Sequence, residues 1–246
     1  MIIAVCNQKG GVGKTATAQA IATGAAKIGR RSLAIDLDPQ SNLTFSMGGN
    51  SADAGIYELM TGAAAPAQII QKTKQGDILT ASSGLALADH TFTGESRSTY
   101  LAAALRPIKK KYDVITIDCP PALNILLVNA LMAADTVIIP ITADIYALQG
   151  LYQLKSSIEA AQKSNTGLVI GGAVFVKHNT RTVLARDLTD VITDKCRALD
   201  IPVYKTTIRE GVAIREAQTQ RESIFDYAPR SNAAKDYMQL IAEIGL

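Results

Sequence analysis

A glycine-rich loop near the N-terminus has the residue types and spacing that phosphate chemistry requires. Gly13-Lys14-Thr15 ends the pattern Gly-x-x-x-x-Gly-Lys-Ser/Thr, although Gln8 stands at the position of its first glycine. Glycines let the main chain turn tightly and direct several N–H groups at one point. The pattern predicts that Lys14 reaches the β- and γ-phosphates of a nucleotide and that Thr15 ligates Mg²⁺. The predicted nucleotide-binding residues are Gly10, Gly11, Val12, Gly13, Lys14, Thr15 and Ala16.

Three aspartates follow apolar runs and could complete a hydrolytic site. Asp36 and Asp38 come after the run 32–35, and Asp118 comes after the run 114–117. Hydrolysis of a triphosphate needs a water held in line with the γ-phosphorus, so a carboxylate at a strand end that faces the loop suits that task. Carboxylates also bind Mg²⁺, directly or through water. The three aspartates are therefore candidates for the same site as the loop.

The elements that must position these residues alternate along the chain. An apolar run over 2–6, the loop, a helix over 15–28 and a strand over 32–35 make the βαβ unit of a parallel sheet. Further strands are predicted over 114–117, 136–141, 168–176 and 203–205. Helices are predicted over 56–60, 96–110 (interrupted or ended near Pro107), 123–132, 145–163, 182–199 and 233–244. The predicted fold class is α/β: a single P-loop domain over 1–246, with a mostly parallel twisted sheet flanked by helices on both faces.

Composition excludes several other classes of protein. Hydrophobic residues make up 48% of the 246 and charged residues 19%, which favours a packed core over a disordered chain. Cys6, Cys119 and Cys196 are widely spaced, so we expect reduced core residues and not a disulfide or zinc framework. The net charge of +3 is compatible with a nucleic-acid partner but does not require one. Without a leader pattern or a run of about 18 apolar residues, a cytoplasmic location is expected.

A second lysine makes the loop far more specific. The segment KGGVGKT at 9–15 resembles the deviant Walker-A loop of the ParA/MinD family of ATPases, and the lead-in Asn7-Gln8 is most similar to the ParA/Soj branch. The resemblance implies a Mg²⁺-dependent ATPase that takes ATP and Mg²⁺ as cofactors. It also implies a homodimer with ATP between the subunits, in which Lys9 contacts the partner's nucleotide.

The resemblance gives roles to the three aspartates. In the family, the residue at the position of Asp38 orients or activates the attacking water, and the residue at the position of Asp36 lies near the metal. Asp118, before Cys119-Pro120-Pro121, resembles the Walker-B position, which binds Mg²⁺ through water. The implied catalytic residues are thus Lys9, Lys14 and Asp38, and the implied metal ligands are Thr15, Asp36 and Asp118.

The likeness continues into the C-terminal half, where 177–182, 208–217 and 228–233 are similar to ParA/Soj segments. Such proteins bind DNA without sequence specificity as ATP dimers, through basic residues that neutralise phosphates. The candidates are Lys205, Arg209, Arg215 and Arg221. Glu210 and Ala213 stand where relatives often carry arginine, so Arg209 and Arg215 would substitute from neighbouring positions. A second basic cluster, Arg106 and 109–111, is interpreted as cations at a helix C-terminus.

The function that the resemblance implies is partition of plasmid or chromosomal DNA. A ParB-like or other centromere-binding partner would stimulate hydrolysis, and the protein would associate with the nucleoid. An N-terminal DNA-reading domain is not expected, because the loop begins within ten residues of Met1. The alternatives are a MinD-like positioner of membrane-associated or protein cargo, an electron-transfer ATPase like the nitrogenase iron protein, and a ligase-like metabolic enzyme. The acidic C-terminal segment disfavours membrane binding, and the cysteine spacing disfavours an iron–sulfur cluster.

Overall fold

A computed structural model of the chain describes residues 1–51, 54–179 and 183–246. Part of the C-terminal loop of the family resemblance, Thr180 to Thr182, lies outside the described residues, as does the predicted start of a helix at Thr182. The predicted α/β class with a mostly parallel, helix-flanked sheet is confirmed.

The sheet has seven strands in the order β3-β4-β2-β5-β1-β6-β7. Its strands are β1 Ile2–Val5, β2 Ser32–Asp36, β3 Ile70–Thr73, β4 Gly76–Leu79, β5 Val114–Asp118, β6 Thr136–Ile141 and β7 Val169–Phe175. All neighbouring pairs are parallel except β3 and β4, which form an antiparallel hairpin at one edge. The strand that precedes the glycine-rich loop therefore lies between β5 and β6, inside the sheet.

Helices cover both faces of this sheet. They are α1 Lys14–Lys27, α2 Asn42–Ser46, α3 Ile56–Thr61, α4 Pro66–Ile69, α5 Ala88–Thr91, α6 Tyr100–Leu105, α7 Ile125–Ala133, α8 Ala147–Gln162, α9 Val183–Ala198, α10 Val212–Thr219, α11 Ile224–Tyr227 and α12 Asn232–Ile244. Across the three described ranges, none of the helices is both long enough and apolar enough to cross a bilayer.

Alternate residues of the central strands face two separate cores. On β1, Ile2 and Ala4 belong to one core and Ile3 and Val5 to the other. This period of two is the side-chain alternation of a strand that is buried on both faces. The first core includes α3, α6, α7 and α8, and the second includes α1, α11 and α12. The apolar runs of the sequence thus place a rigid sheet beneath the loop.

The helix predicted over 96–110 is interrupted near Pro107, as expected. α6 ends at Leu105, two residues before this proline, which lacks an amide donor, and 3-10 turns at Glu95–Ser98 and Lys109–Lys111 lie on either side of α6. Two other features differ from the prediction. The hairpin of β3 and β4 was not expected. The predicted strand over 203–205 is only an isolated bridge between Val203 and Ala173.

The segment over 203–208 nevertheless covers the free edge of β7. Tyr204 N–H donates to Ala173 O at 2.9 Å, and Ile208 N–H donates to Phe175 O at 2.7 Å. Gly172 makes this approach possible, because a Cβ there would lie 2.9 Å from the Tyr204 ring. These hydrogen bonds satisfy carbonyl groups at the edge of β7 without forming a regular strand ladder.

Gly24 allows the C-terminal helices to pack against α1. A Cβ at Gly24 would lie 2.2 Å from Ile241 Cδ1 and 3.0 Å from Phe225 Cε2. We expect Gly24→Val to lower the free energy of unfolding by about 2 kcal/mol through overpacking, measured by urea denaturation. Ala26→Val, at a half-buried position of the same helix, is the control for the lower helix propensity of valine. Equal losses in the two variants would contradict the packing role of Gly24.

Candidate functional site

The predicted site residues meet at the carboxyl ends of three adjacent strands. Val5, the last residue of β1, pairs in register with Asp118 of β5, and Asp118 pairs with Asp36 of β2. The loop leaves β1 at this edge, where ligands of open α/β sheets bind. The structure therefore brings together the loop and the aspartates that the sequence placed far apart.

The loop enters α1 through residues with left-handed backbone. Gly11 has φ 72° and Gly13 has φ 92°, both favoured by glycine. Lys14 begins the helix, and no acidic residue lies in its first turn, so no side chain of that turn compensates the positive end of the helix dipole. Val12 is buried, which leaves its main chain as the part that can face a ligand.

Lys14 is held inside the site, with only 7% of its surface exposed. Its Nζ donates to the carbonyl oxygen of Lys9 at 3.1 Å. Burial lowers the pKa of Lys14, and the facing carboxylates of Asp118 and Asp38 oppose that change. The ammonium group is thus poised between the loop and the carboxylates, where an anionic ligand would gain a desolvated counter-charge.

Asp36 and Asp118 lie side by side but differ in their hydrogen bonds. Asp36 accepts from the Thr44 amide and hydroxyl, both at 2.7 Å, and from the Asp38 amide at 3.2 Å. Burial raises the pKa of Asp36 to about 6, against the effect of these bonds. Neither carboxylate oxygen of Asp118 has a hydrogen-bond partner among the described residues.

Asp118 is consequently the exceptional group of the site. Burial, followed by the charge of Asp36, raises the pKa of Asp118 well above its usual range. The nearby Thr15 hydroxyl lowers the pKa of Asp118, although it does not form a hydrogen bond of normal geometry with the carboxylate. A fully buried, unpartnered carboxylate is costly unless another group satisfies it. The oxygen donors of Asp118 and Thr15 are the kind that Mg²⁺ prefers, so these residues fit that ion.

Asp38 lies on the wall of the same site and is almost fully buried. One of its carboxylate oxygens accepts from the Gln40 amide at 3.0 Å. This bond fixes the carboxylate at the start of the segment that leads into α2. The position is compatible with the predicted role of holding a water near the loop.

Lys9 is held by an ion pair within its own chain. Its ammonium group forms a short ion pair with Asp144 and lies 3.5 Å from the Thr142 hydroxyl. Burial acts to raise the pKa of Asp144, but hydrogen bonds from Lys9 and Thr142 outweigh it and hold the pKa below its usual range. The predicted contact of Lys9 with a partner's nucleotide stays a prediction, and it requires that this ion pair open.

The three cysteines lie in the core, as the sequence analysis expects. All three are buried and free, and Cys6 Sγ lies 3.2 Å from Cys119 Sγ at the carboxyl ends of β1 and β5. Within the described parts of the chain, no group of three or more His, Cys, Asp or Glu side chains is arranged to hold a metal ion. That finding is compatible with Mg²⁺, which takes most of its ligands from substrate phosphates and water.

A cleft of about 650 Å³ opens over the loop. One wall comes from the C-terminal half, through residues that include Lys177, Ile208, Glu210, Ile214, Arg215 and Gln218. The sequence analysis assigned none of these residues to the nucleotide site, and Lys177 carries a positive charge close to the loop. The sequence contained a signal for it, because a lysine just after a strand of a parallel sheet must lie at the same edge of the sheet as the loop.

The four predicted DNA-contacting residues differ in their exposure and in the partners of their charged groups. Arg209 forms two hydrogen bonds to the Asp236 carboxylate, at 2.6 and 2.9 Å, so its charge is compensated inside the chain. Arg221 lies over the ring of Phe45, with Cζ 4.4 Å from the ring centroid. Arg215 is exposed at the edge of the cleft, and Lys205 is exposed beside β7. Their contact with DNA stays a prediction.

Comparisons with known proteins agree with this geometry. A family model described as an AAA domain matches residues 1–170. The sporulation initiation inhibitor protein Soj of Bacillus subtilis is 39% identical over 249 residues, covering 99% of this chain and 97% of Soj. The chromosome partitioning protein ParA of Caulobacter vibrioides is 33% identical, covering 99% of this chain and 93% of that protein. A solved structure of cobyrinic acid a,c-diamide synthase from Mycobacterium smegmatis, with bound ATP analog and magnesium, is 31% identical with a TM-score of 0.86, covering 98% and 92% of the two chains.

Proposed function

Because the chain belongs to the ParA/Soj family of partitioning ATPases and is a Mg²⁺-dependent ATPase, we propose that it is an ATP-driven switch that partitions DNA. ATP binding closes two copies face to face, and the dimer binds DNA without sequence specificity at the nucleoid. A ParB-like or other centromere-binding protein then stimulates hydrolysis and release. The whole chain acts as a single domain in this scheme.

One observation carries the nucleotide part of the proposal: the buried, unpartnered carboxylate of Asp118 beside Lys14 and Thr15. The amides of residues 10–16 and Lys14 bind the triphosphate, and Thr15 with Asp118 holds Mg²⁺. When bound, Mg²⁺ neutralises charge on the β- and γ-phosphate oxygens. Asp38, which lines the same cleft, orients the attacking water. Asp36, predicted as a third metal ligand, already accepts hydrogen bonds from Thr44, so its main task is to fix the loop before α2.

Dimerisation requires a change at Lys9. The side chain must leave Asp144 before it can cross to the partner's nucleotide. The exchange is electrostatically favourable only when a more highly charged anion is available, and a triphosphate on a facing subunit is such an anion. The ion pair thus makes the predicted dimer contact conditional on ATP.

Within the DNA proposal, Arg215 is the strongest single candidate. It is exposed and has no ion pair among those found in the described residues, whereas Arg209 is bound to Asp236. Arg221 can contribute its charge while stacked on Phe45. Two copies of such a patch on one dimer would double the number of DNA phosphates that are neutralised. Each additional phosphate contact makes the DNA affinity more sensitive to salt concentration.

The test is retention on DNA of unrelated sequence with ATP, with ADP and without nucleotide, over a salt series. We expect retention only with ATP, and Arg215→Glu should reduce it about tenfold or more at moderate salt, since one phosphate contact is exchanged for repulsion in each subunit. Arg106→Glu makes the same charge change at the exposed end of α6, on the other face of the sheet, and should retain DNA normally.

Two results would redirect the proposal. Undiminished DNA retention by Arg215→Glu, with ATP dependence intact, would move the DNA surface elsewhere. Absence of any DNA retention, together with ATP-dependent pelleting on anionic liposomes, would favour the MinD-like alternative of membrane-associated cargo.

A further inference from the structure

A lysine outside the proposed catalytic and binding sets lies against the phosphate loop. Lys177 follows β7, and its Nζ donates to the carbonyl oxygen of Gly11 at 2.7 Å. Its neighbour Val176 approaches the loop at a second point, because a Cβ on Gly13 would lie 3.7 Å from Val176 Cγ2. The segment that follows β7 therefore lies close to both loop glycines whose backbone is left-handed, Gly11 and Gly13.

The main chain of Lys177 is itself left-handed, with φ 52°. A residue with a side chain adopts this conformation at a cost, and it persists where the surroundings fix it. Here the two flanking residues are tied to opposite neighbours. Val176 N–H donates to Ile141 O at 2.8 Å, and His178 N–H donates to Ile208 O at 2.9 Å. The point from which the Lys177 side chain leaves the backbone is thus fixed relative to the loop.

We propose that Lys177 is a positioning residue of the phosphate loop, which holds the Gly11 carbonyl so that the next amide faces the triphosphate. A trans peptide is planar, so its carbonyl and its N–H point in opposite directions. Fixing the Gly11 oxygen fixes the direction of the Val12 N–H. Without this bond, the glycine pair at 10–11 would rotate freely, because neither residue has a Cβ.

The charge of Lys177 makes the bond stronger than an ordinary one and adds positive potential at the cleft. The inference rests on the proposed location of the triphosphate at residues 10–16, but it needs neither a dimer nor DNA. It also differs from a direct contact with the γ-phosphate. A fixed amide should increase the affinity for both ATP and ADP, whereas a contact with the γ-phosphate would increase the affinity for ATP alone.

The experiment measures nucleotide affinity by calorimetry with Mg²⁺-ATP and Mg²⁺-ADP. We expect Lys177→Met to weaken both by about tenfold and to raise KM for ATP by a similar factor, with kcat and the thermal midpoint of the apo protein little changed. Lys177→Arg, which keeps a charged donor, should recover most of the affinity. Lys163→Met, at an exposed lysine after α8, is the matched control and should bind as wild type.

Lys177→Gly separates the side chain from the backbone, because glycine adopts the left-handed conformation without strain. Lys177→Gly should bind Mg²⁺-ATP and Mg²⁺-ADP as weakly as Lys177→Met does. Wild-type affinity in both variants would overturn the inference, and so would a loss for ATP with none for ADP. Lys14→Ala distinguishes this failure from failure of the proposed site: if Lys14→Ala loses nucleotide while Lys177→Met does not, only the role of Lys177 is wrong.

Discussion

Lys14→Ala is expected to bind Mg²⁺-ATP at least about 100-fold more weakly than the wild-type protein and to show no measurable hydrolysis. The side chain is buried beside Asp38 and Asp118, so its positive charge is screened little by water. Removing it takes away a donor to the phosphates and leaves two carboxylates facing an anionic ligand. Both effects act in the same direction. Equilibrium binding of ATP and a steady-state phosphate-release assay measure them.

The matched control is Lys27→Ala, at the other end of the same helix. Lys27 is exposed and forms an ion pair with Asp226, so its loss should leave ATP affinity within about twofold of wild type. A thermal melt of each variant separates loss of ligand binding from loss of fold. Normal ATP affinity in a folded Lys14→Ala protein would refute the assignment of residues 10–16 as the phosphate loop.

The sequence predicted the centre of this site because its parts are local. Each part of the motif follows a continuous apolar run, and such runs form the inner strands β1, β2 and β5. Once the strands are parallel, their carboxyl ends must share an edge, which brings Asp36 and Asp118 into adjacent register. The loop, the helix and the aspartates therefore follow from pattern and topology alone.

The surrounding wall depends on contacts between distant parts of the chain. Lys177 reaches Gly11 across 166 positions, and Lys9 pairs with Asp144 across 135. No local pattern specifies which partner a surface lysine selects. The hairpin of β3 and β4 was missed for a related reason: β3 is a half-exposed edge strand with no apolar face strong enough to show in the sequence.

The difference between Asp36 and Asp118 also needed the structure. Both aspartates end apolar strands, so the sequence gives them the same candidate role of binding metal. Thr44, in α2, donates hydrogen bonds to the Asp36 carboxylate from its amide and its hydroxyl. Asp118 has no such partner among the described residues. Side-chain hydrogen bonds across a loop decide which carboxylate is available to a ligand, and these are not encoded in strand pattern.

Asp38→Ala is expected to lower turnover of ATP by roughly 10²- to 10⁴-fold while ATP affinity stays the same or becomes tighter. The carboxylate lines the same cleft as the loop, where it can hold a water for attack on the γ-phosphorus. Its one hydrogen bond found in the described chain, to the Gln40 amide, contributes little to the binding of phosphate. Its removal also takes a negative charge away from an anionic ligand. Binding and hydrolysis should thus separate in this variant.

The separation has a consequence for assembly. If ATP closes two subunits and hydrolysis opens them, Asp38→Ala should accumulate as a dimer in Mg²⁺-ATP, and light scattering should report twice the mass of the apo protein. Asp194→Ala removes a carboxylate from the exposed face of α9, where it forms an ion pair with Arg197, and this variant should hydrolyse ATP and dissociate normally. Unchanged hydrolysis in Asp38→Ala would remove this residue from the mechanism. A variant that binds ATP, fails to hydrolyse it and remains monomeric would retain the proposed water-orienting role and reject the proposed ATP dimer.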